Sequence, residues 1–237
     1  MTLPLLRPFA RTVDTLQTQC DTTPCDTARR ALNVAIAALG LVLALPLMVM
    51  IAVLIKLTSP GPVLFAQRRV GLDRRALGHP AGNSRRHDDS GGRSFVMYKF
   101  RTMRVNGGTE PAVEVWAQPD DPRVIPLGRV LRKLRLDELP QLWNVLVGDM
   151  NVVGPRPEQP AIFAQLRAQI QEYVQRQRVL PGITGWAQIN RAYDSCVDDV
   201  REKLSYDLTY IRQRSVLEDV KIMLLTPAVM LGRRGGW

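Results

Sequence analysis

Two adjacent carboxylates, Asp137 and Glu138, stand in the otherwise apolar and basic stretch L-R-L-D-E-L-P-Q-L-W-N-V-L-V-G-D-M-N-V-V-G-P-R-P, which runs from Leu134 to Pro157. Such a pair has two uses. Asp137 can cap the helix that Pro140 helps to start, with Glu138 in its first turn, where the helix dipole favours acids. Alternatively the pair works on a phosphorylated substrate. An aspartate attacks phosphorus to give an acyl phosphate, and one or two carboxylates hold Mg²⁺ against phosphate oxygens. The two uses are compatible, because a helix start also receives phosphate. Cations flank the acids: Arg132 before them, and Arg156 after them in a rigid Pro155-Arg156-Pro157 setting. Both are natural clamps for a diphosphate. Further back, Lys99 and Arg101 straddle Phe100 in K-F-R-T-M, which reads either as a second phosphate grip or as an ordinary basic strand end.

The elements that must position these residues follow from composition and pattern. A chain of 237 residues holds one domain with room for a membrane element. Its 32 Lys and Arg against 22 Asp and Glu leave a net charge of +10. That surplus points to nucleic acid, an anionic membrane surface or phosphorylated substrates. Cys20, Cys25 and Cys196 are odd in number and lack metal-ligand spacing, which argues for reduced thiols and against both a disulfide framework and a zinc site.

Residues 1–30 form an arm without sustained periodicity. Ala31 to Lys56 is the one strongly apolar segment, uncharged from Val34 to Ile55, about the 20 residues that cross a bilayer as a helix. Composition alone favours a spanning helix. Pro46 in its middle and basic residues on both flanks (Arg29, Arg30, Lys56, Arg68, Arg69) also suit a kinked helix that enters one leaflet and returns. Ser59-Pro60-Gly61-Pro62 ends it. Val63–Phe65 and Phe95–Tyr98 read as short strands of a hairpin around a Gly- and Arg-rich loop, in which His79 and His87 are idle surface residues. From Leu127 a basic amphipathic helix sets Arg129, Arg132, Lys133 and Arg135 against Val130, Leu131 and Leu134. Ile162 to Val174 marks one helix face, and Pro181 to Trp186 a tight turn leading into a strand. Ser195 with Asp198, and Ser215 with Glu218, are capping boxes for two final helices, the second nearly apolar all round.

Together L-D-E-L-P-Q-L-W-N-V-L-V-G-D-M-N-V-V-G-P-R-P, the K-F-R-T-M before it and the P-G-I-T-G-W-A-Q-I-N after it resemble the bacterial sugar transferases, the monotopic phosphoglycosyl transferases. The resemblance covers the chain from about Ala31 to Leu231. It implies an α+β, mostly helical fold. A proline-broken re-entrant membrane helix (31–57) follows the arm (1–30) and precedes a cytoplasmic catalytic domain (58–237) with interfacial amphipathic helices and a small β-hairpin. The implied reaction moves a sugar 1-phosphate from a UDP-sugar onto undecaprenyl phosphate at the inner membrane, releasing UMP with Mg²⁺ present and starting polysaccharide or glycan assembly. By motif, Asp137 would be the nucleophile and Glu138 its partner at the metal and the acceptor phosphate. Lys99, Arg101, Arg132, Arg156 and Arg191 would bind substrate. The expected partners are the UDP-sugar, undecaprenyl phosphate and membrane lipid, with no nucleic acid; a homodimer stays open. Two departures stand out: the long loop from Gly71 to Arg93, and Gln188-Ile189-Asn190-Arg191 where many members read Gln-Val-Asn-Gly-Arg. Without several leading membrane helices, the chain resembles a minimal or truncated catalytic form. The rivals are a polyprenyl-phosphate glycosyltransferase that releases UDP, and a non-catalytic membrane scaffold.

Overall fold

The computed structural model describes residues 24–73, 91–104, 121–191 and 197–232. His79, His87, Cys20, Cys196 and the Ser195 cap lie outside the described residues.

The apolar run forms helix α1, Pro24–Thr58. It is helical throughout as one element, with Pro46 inside it. Pro46 has no N–H to give the Val42 carbonyl, and the loss falls where α1 is bare of protein, since Val42 is 70% exposed. One face of α1 buries Arg29, Asn33, Ala37, Ile51 and Ile55, while Leu39, Val42, Leu43, Val49, Met50, Val53 and Leu57 are exposed. The face that meets protein is apolar apart from Arg29 and Asn33 near its start, and the other face is apolar and meets none.

β1 (Leu64–Val70) pairs antiparallel with β2 (Ser94–Phe100), in register from Leu64 opposite Phe100 to Val70 opposite Ser94. The expected hairpin strands are therefore present but longer. Gln67, Arg68 and Arg69 extend β1 because the ladder supplies what propensity does not. The chain then runs through α2 (Pro126–Lys133), a 3₁₀ turn (Leu136–Glu138), α3 (Gln141–Val147) and β3 (Asn151–Val153). Next come α4 (Pro160–Gln169), a 3₁₀ segment (Gln171–Arg178), β4 (Gly182–Thr184), α5 (Trp186–Asn190), α6 (Val197–Gln213) and α7 (Val216–Gly232).

The single helix expected from Ile162 to Val174 is two pieces, divided at Ile170, whose backbone is extended (φ −131°, ψ 102°). The apolar spacing located most of the buried face: Ile162, Phe163, Leu166, Ile170 and Tyr173 share one core cluster with Val70, Val200 and Leu204, while Val174 is 43% exposed because it follows the break at Ile170. The order at Pro181–Trp186 is also corrected. The strand is Gly182–Thr184 itself, and Trp186 opens a helix. Its partner explains this: β4 pairs in parallel with β3, Asn151 opposite Gly182 and Val153 opposite Thr184. A Cβ on Gly182 would lie 2.1 Å from the Gly154 nitrogen, so the approach requires glycine.

At the end of the chain, the Glu218 N–H donates to Ser215 Oγ at 3.1 Å, the expected cap. α7 buries Ile222 and Asp219 and leaves Leu217 and Leu224 bare, so it is one-sided rather than fully enclosed.

Candidate active site

Asp137 and Glu138 occupy the 3₁₀ turn between α2 and α3, and both side chains are buried. The bend that starts this turn is Arg135, whose left-handed backbone (φ 57°, ψ 17°) is uncommon outside glycine and costs about 1–3 kcal/mol. Capping does not explain the acids. Pro140 is the N-cap of α3 and no side chain caps that helix, while Asp137 Oδ1 is buried without a hydrogen-bond partner.

Glu138 is the hub. Its Oε1 accepts from Arg156 Nη2 at 2.7 Å and from Lys99 Nζ at 3.0 Å, with Arg135 Nη1 at 3.6 Å. Burial alone would raise its carboxyl, but Arg156, Lys99 and Arg135 overcome that and hold it well below the usual carboxylate range. Asp137 goes the other way. Desolvation, and then the negative charge of Glu138, raise it, against the pull of Lys99, Arg156 and Arg135. Burial likewise lowers the Lys99 ammonium, opposed by Glu138. Adjacent acids whose environments push them apart are the pattern of an acid pair with divided roles. Three cations against two carboxylates leave a surplus positive charge in a poorly solvated site, which suits phosphate.

The supports of these cations are rigid. Lys99 is the last residue but one of β2, and Asn144 of α3 bonds β2 as a neighbouring strand would: its Oδ1 accepts from Tyr98 N at 3.1 Å and its Nδ2 donates to Val96 O at 2.7 Å. Arg156 stands on a loop whose carbonyls are held one after another. Pro155 O accepts from Gly182 N at 2.9 Å, Arg156 O from Arg176 Nη2 at 2.9 Å, Pro157 O from Arg69 Nη1 at 3.1 Å and Glu158 O from Val70 N at 2.9 Å. Arg176 is itself fixed by Asp207 at 2.7 Å and the Tyr173 hydroxyl at 2.6 Å. A clamp preorganised by four elements loses little entropy on binding. Arg30 adds a further tie, donating to Val145 O at 2.7 Å and Leu146 O at 2.8 Å where α3 ends at Gly148 (φ 91°).

Of the cations singled out by sequence, Lys99 and Arg156 meet at Glu138. Arg132 lies on α2, its Nε donating to Thr102 Oγ1 at 2.9 Å. Arg101 is buried and donates to the Ser59 and Pro60 carbonyls, anchoring the turn after α1. Arg191 pairs with Glu202 at 2.9 Å and Asp199 at 3.3 Å on α6. Sequence reasoning missed Arg135 as a third cation at Glu138, although it stands two residues before Asp137. It also missed Asn144 and Arg176, whose roles arise from partners far along the chain.

A divalent cation suits this donor set. Asp137 Oδ1 is an oxygen with no protein partner, whereas Glu138 is already neutralised by its cations. Among the described residues no group of three or more His, Cys, Asp or Glu side chains gathers as a metal site. The Asp137 carboxylate is thus the group that could hold Mg²⁺, with the other positions left to substrate oxygens and water, as this ion prefers.

The fold and site define a class, and the comparisons agree with it. The bacterial sugar transferase family model matches residues 25–233, and the chain belongs to that family. It is 42% identical over 203 residues to a UDP-N-acetylgalactosamine-undecaprenyl-phosphate N-acetylgalactosaminephosphotransferase of Aeromonas hydrophila, covering 86% of this chain and 43% of that protein. It is 40% identical over 200 residues to a UDP-glucose:undecaprenyl-phosphate glucose-1-phosphate transferase of Escherichia coli K12 (84% and 39%). The chain therefore spans about two fifths of the length of these curated relatives. An exopolysaccharide production protein of Rhizobium leguminosarum bv. phaseoli is 34% identical over 218 residues, covering 88% of this chain and 98% of that protein.

Proposed function

We propose that this chain is a phosphoglycosyl transferase that moves a sugar 1-phosphate from a UDP-sugar to undecaprenyl phosphate in exopolysaccharide or glycan assembly. The observation that carries the reading is Asp137: a buried carboxylate with an unpartnered oxygen, set beside a cradle of three cations. The names of the relatives supply the substrate class.

In the first step, an Asp137 oxygen attacks the phosphorus that bears the sugar. An aspartyl–phosphorus bond forms and the bond to the bridging oxygen breaks, so that UMP leaves with that oxygen. In the second step, a phosphate oxygen of undecaprenyl phosphate attacks the same phosphorus and Asp137 is regenerated. Lys99, Arg135 and Arg156 offset charge on the phosphoryl oxygens, and a single preorganised donor of this kind is worth about 10²–10³ in rate. Arg132, Arg101 and Arg191 are substrate-binding candidates by motif alone. Mg²⁺ held at Asp137, with Glu138 beside it, would neutralise the diphosphate and the leaving group.

The same reading makes α1 monotopic, with the catalytic domain on the cytoplasmic side of the inner membrane. What supports it is that both halves of α1 rest on one domain: Ala37 packs with Met97 and Val145, Ile51 and Ile55 with Phe100 and Leu131. The exposed apolar face of α1 then lies in lipid, and Lys56 and Arg29 remain on one side.

Membranes containing the protein, incubated with undecaprenyl phosphate and a panel of UDP-sugars, should release UMP with one of them. Asp137→Ala should abolish release. Release of UDP in its place would refute the reading in favour of a glycosyltransferase.

A further inference from the structure

Gln141 is the first residue of α3 and its side chain is 1% exposed. Its amide nitrogen makes no hydrogen bond. Buried polar groups are paired in the great majority of cases, so an orphan of this kind calls for a reason. Asp137 Oδ1 is a second orphan, and the two do not bond to one another. One is a donor and the other an acceptor.

They also share a face. From Leu136 to Trp143 the backbone winds without interruption. Leu139 N donates to Leu136 O at 3.3 Å, Leu142 N to Leu139 O at 3.1 Å and Trp143 N to Pro140 O at 3.1 Å. Leu139 and Pro140 both hold right-handed helical dihedrals. Residues three and four apart on such a winding are neighbours, which sets Gln141 one turn beyond Glu138 and Asp137. The 3₁₀ turn and α3 both pack on β2, the strand that delivers Lys99.

We propose that the Gln141 amide nitrogen is a catalytic donor: it hydrogen-bonds a non-bridging oxygen of the phosphoryl group while Asp137 attacks that phosphorus. This rests on the transferase reading above. A phosphoryl group brings what each orphan lacks, an anionic oxygen for the amide and an electrophilic centre for the carboxylate. A neutral amide also differs from the three cations in kind. It stabilises the oxygen without drawing the Asp137 charge towards itself and without giving up a proton. As charge shifts on the phosphoryl oxygens, an N–H already fixed by burial needs no reorganisation.

The test compares wild type with Gln141→Leu and Gln141→Met, both of similar volume and without a donor. Enzyme in excess over the UDP-sugar chosen by the screen is quenched over time and UMP is counted. The single-turnover rate should fall about 10²–10³-fold, while half-saturation by the donor sugar changes by less than about threefold. The melting temperature should hold or rise, because an unsatisfied buried amide has gone. Retention of the wild-type rate in either variant would overturn the proposal. So would a fall in melting temperature in both, which would make Gln141 a packing residue. Absence of UMP release from wild type with every UDP-sugar would refute the transferase reading itself, and this proposal with it.

Discussion

Replacing Glu138 by Gln should move the acid limb of the reaction to lower pH. In the wild-type site, burial and the neighbouring Glu138 charge raise Asp137, and an attacking carboxylate must be ionised. On the proposed mechanism the rate should therefore climb as pH rises through the raised Asp137 pKa. Glu138→Gln keeps the shape, removes the adjacent negative charge and leaves Lys99, Arg135 and Arg156 facing Asp137 alone. Both changes favour the Asp137 anion, so the signs add. The neighbouring charge acts across a poorly solvated turn, where the effective dielectric is about 20 and not the ~80 of water, so its removal is felt strongly. Single-turnover UMP release followed across the acid range, plotted as log rate against pH, should show the limb displaced to lower pH. The plateau should fall as well, because the cations lose the anchor that aims them. A limb that stays in place, or moves up, would refute the assignment of the raised carboxyl to Asp137.

Two further outcomes follow from the geometry. Arg176→Met leaves Asp207 buried without its 2.7 Å partner and frees the Arg156 carbonyl. It should cost about 3–5 kcal/mol in urea denaturation and raise half-saturation by the UDP-sugar; an unchanged denaturation midpoint would show that the network is idle. For topology, single cysteines at Thr27, in the first turn of α1, and at Arg201, on α6 well after it, both exposed, should react with an impermeant reagent from the same face of sealed vesicles. Labelling from opposite faces would mean that α1 crosses the bilayer.

Much of the site was legible in the chain because its chemistry is local. Asp137, Glu138 and the Pro-bracketed Arg156 lie within one continuous stretch, and their residue types admit carboxylate chemistry on a phosphate beside a plain helix-capping use. The long apolar helix, the Ser215 cap and the buried face of Ile162 to Tyr173 were legible for the same reason, since periodicity and capping act over a few residues. Tertiary structure decided the rest. It chose Lys99 and Arg156 for Glu138, added Arg135, and turned Arg101 to the Ser59 and Pro60 carbonyls. It made a strand of Gly182–Thr184, which only the distant β3 could stabilise. It also gave the two adjacent acids opposite characters. Sequence presents Asp137 and Glu138 as near equals, but a carboxylate's charge state depends on the dielectric and cations around it, and those arrive from residues as far apart in the chain as Lys99 and Arg156.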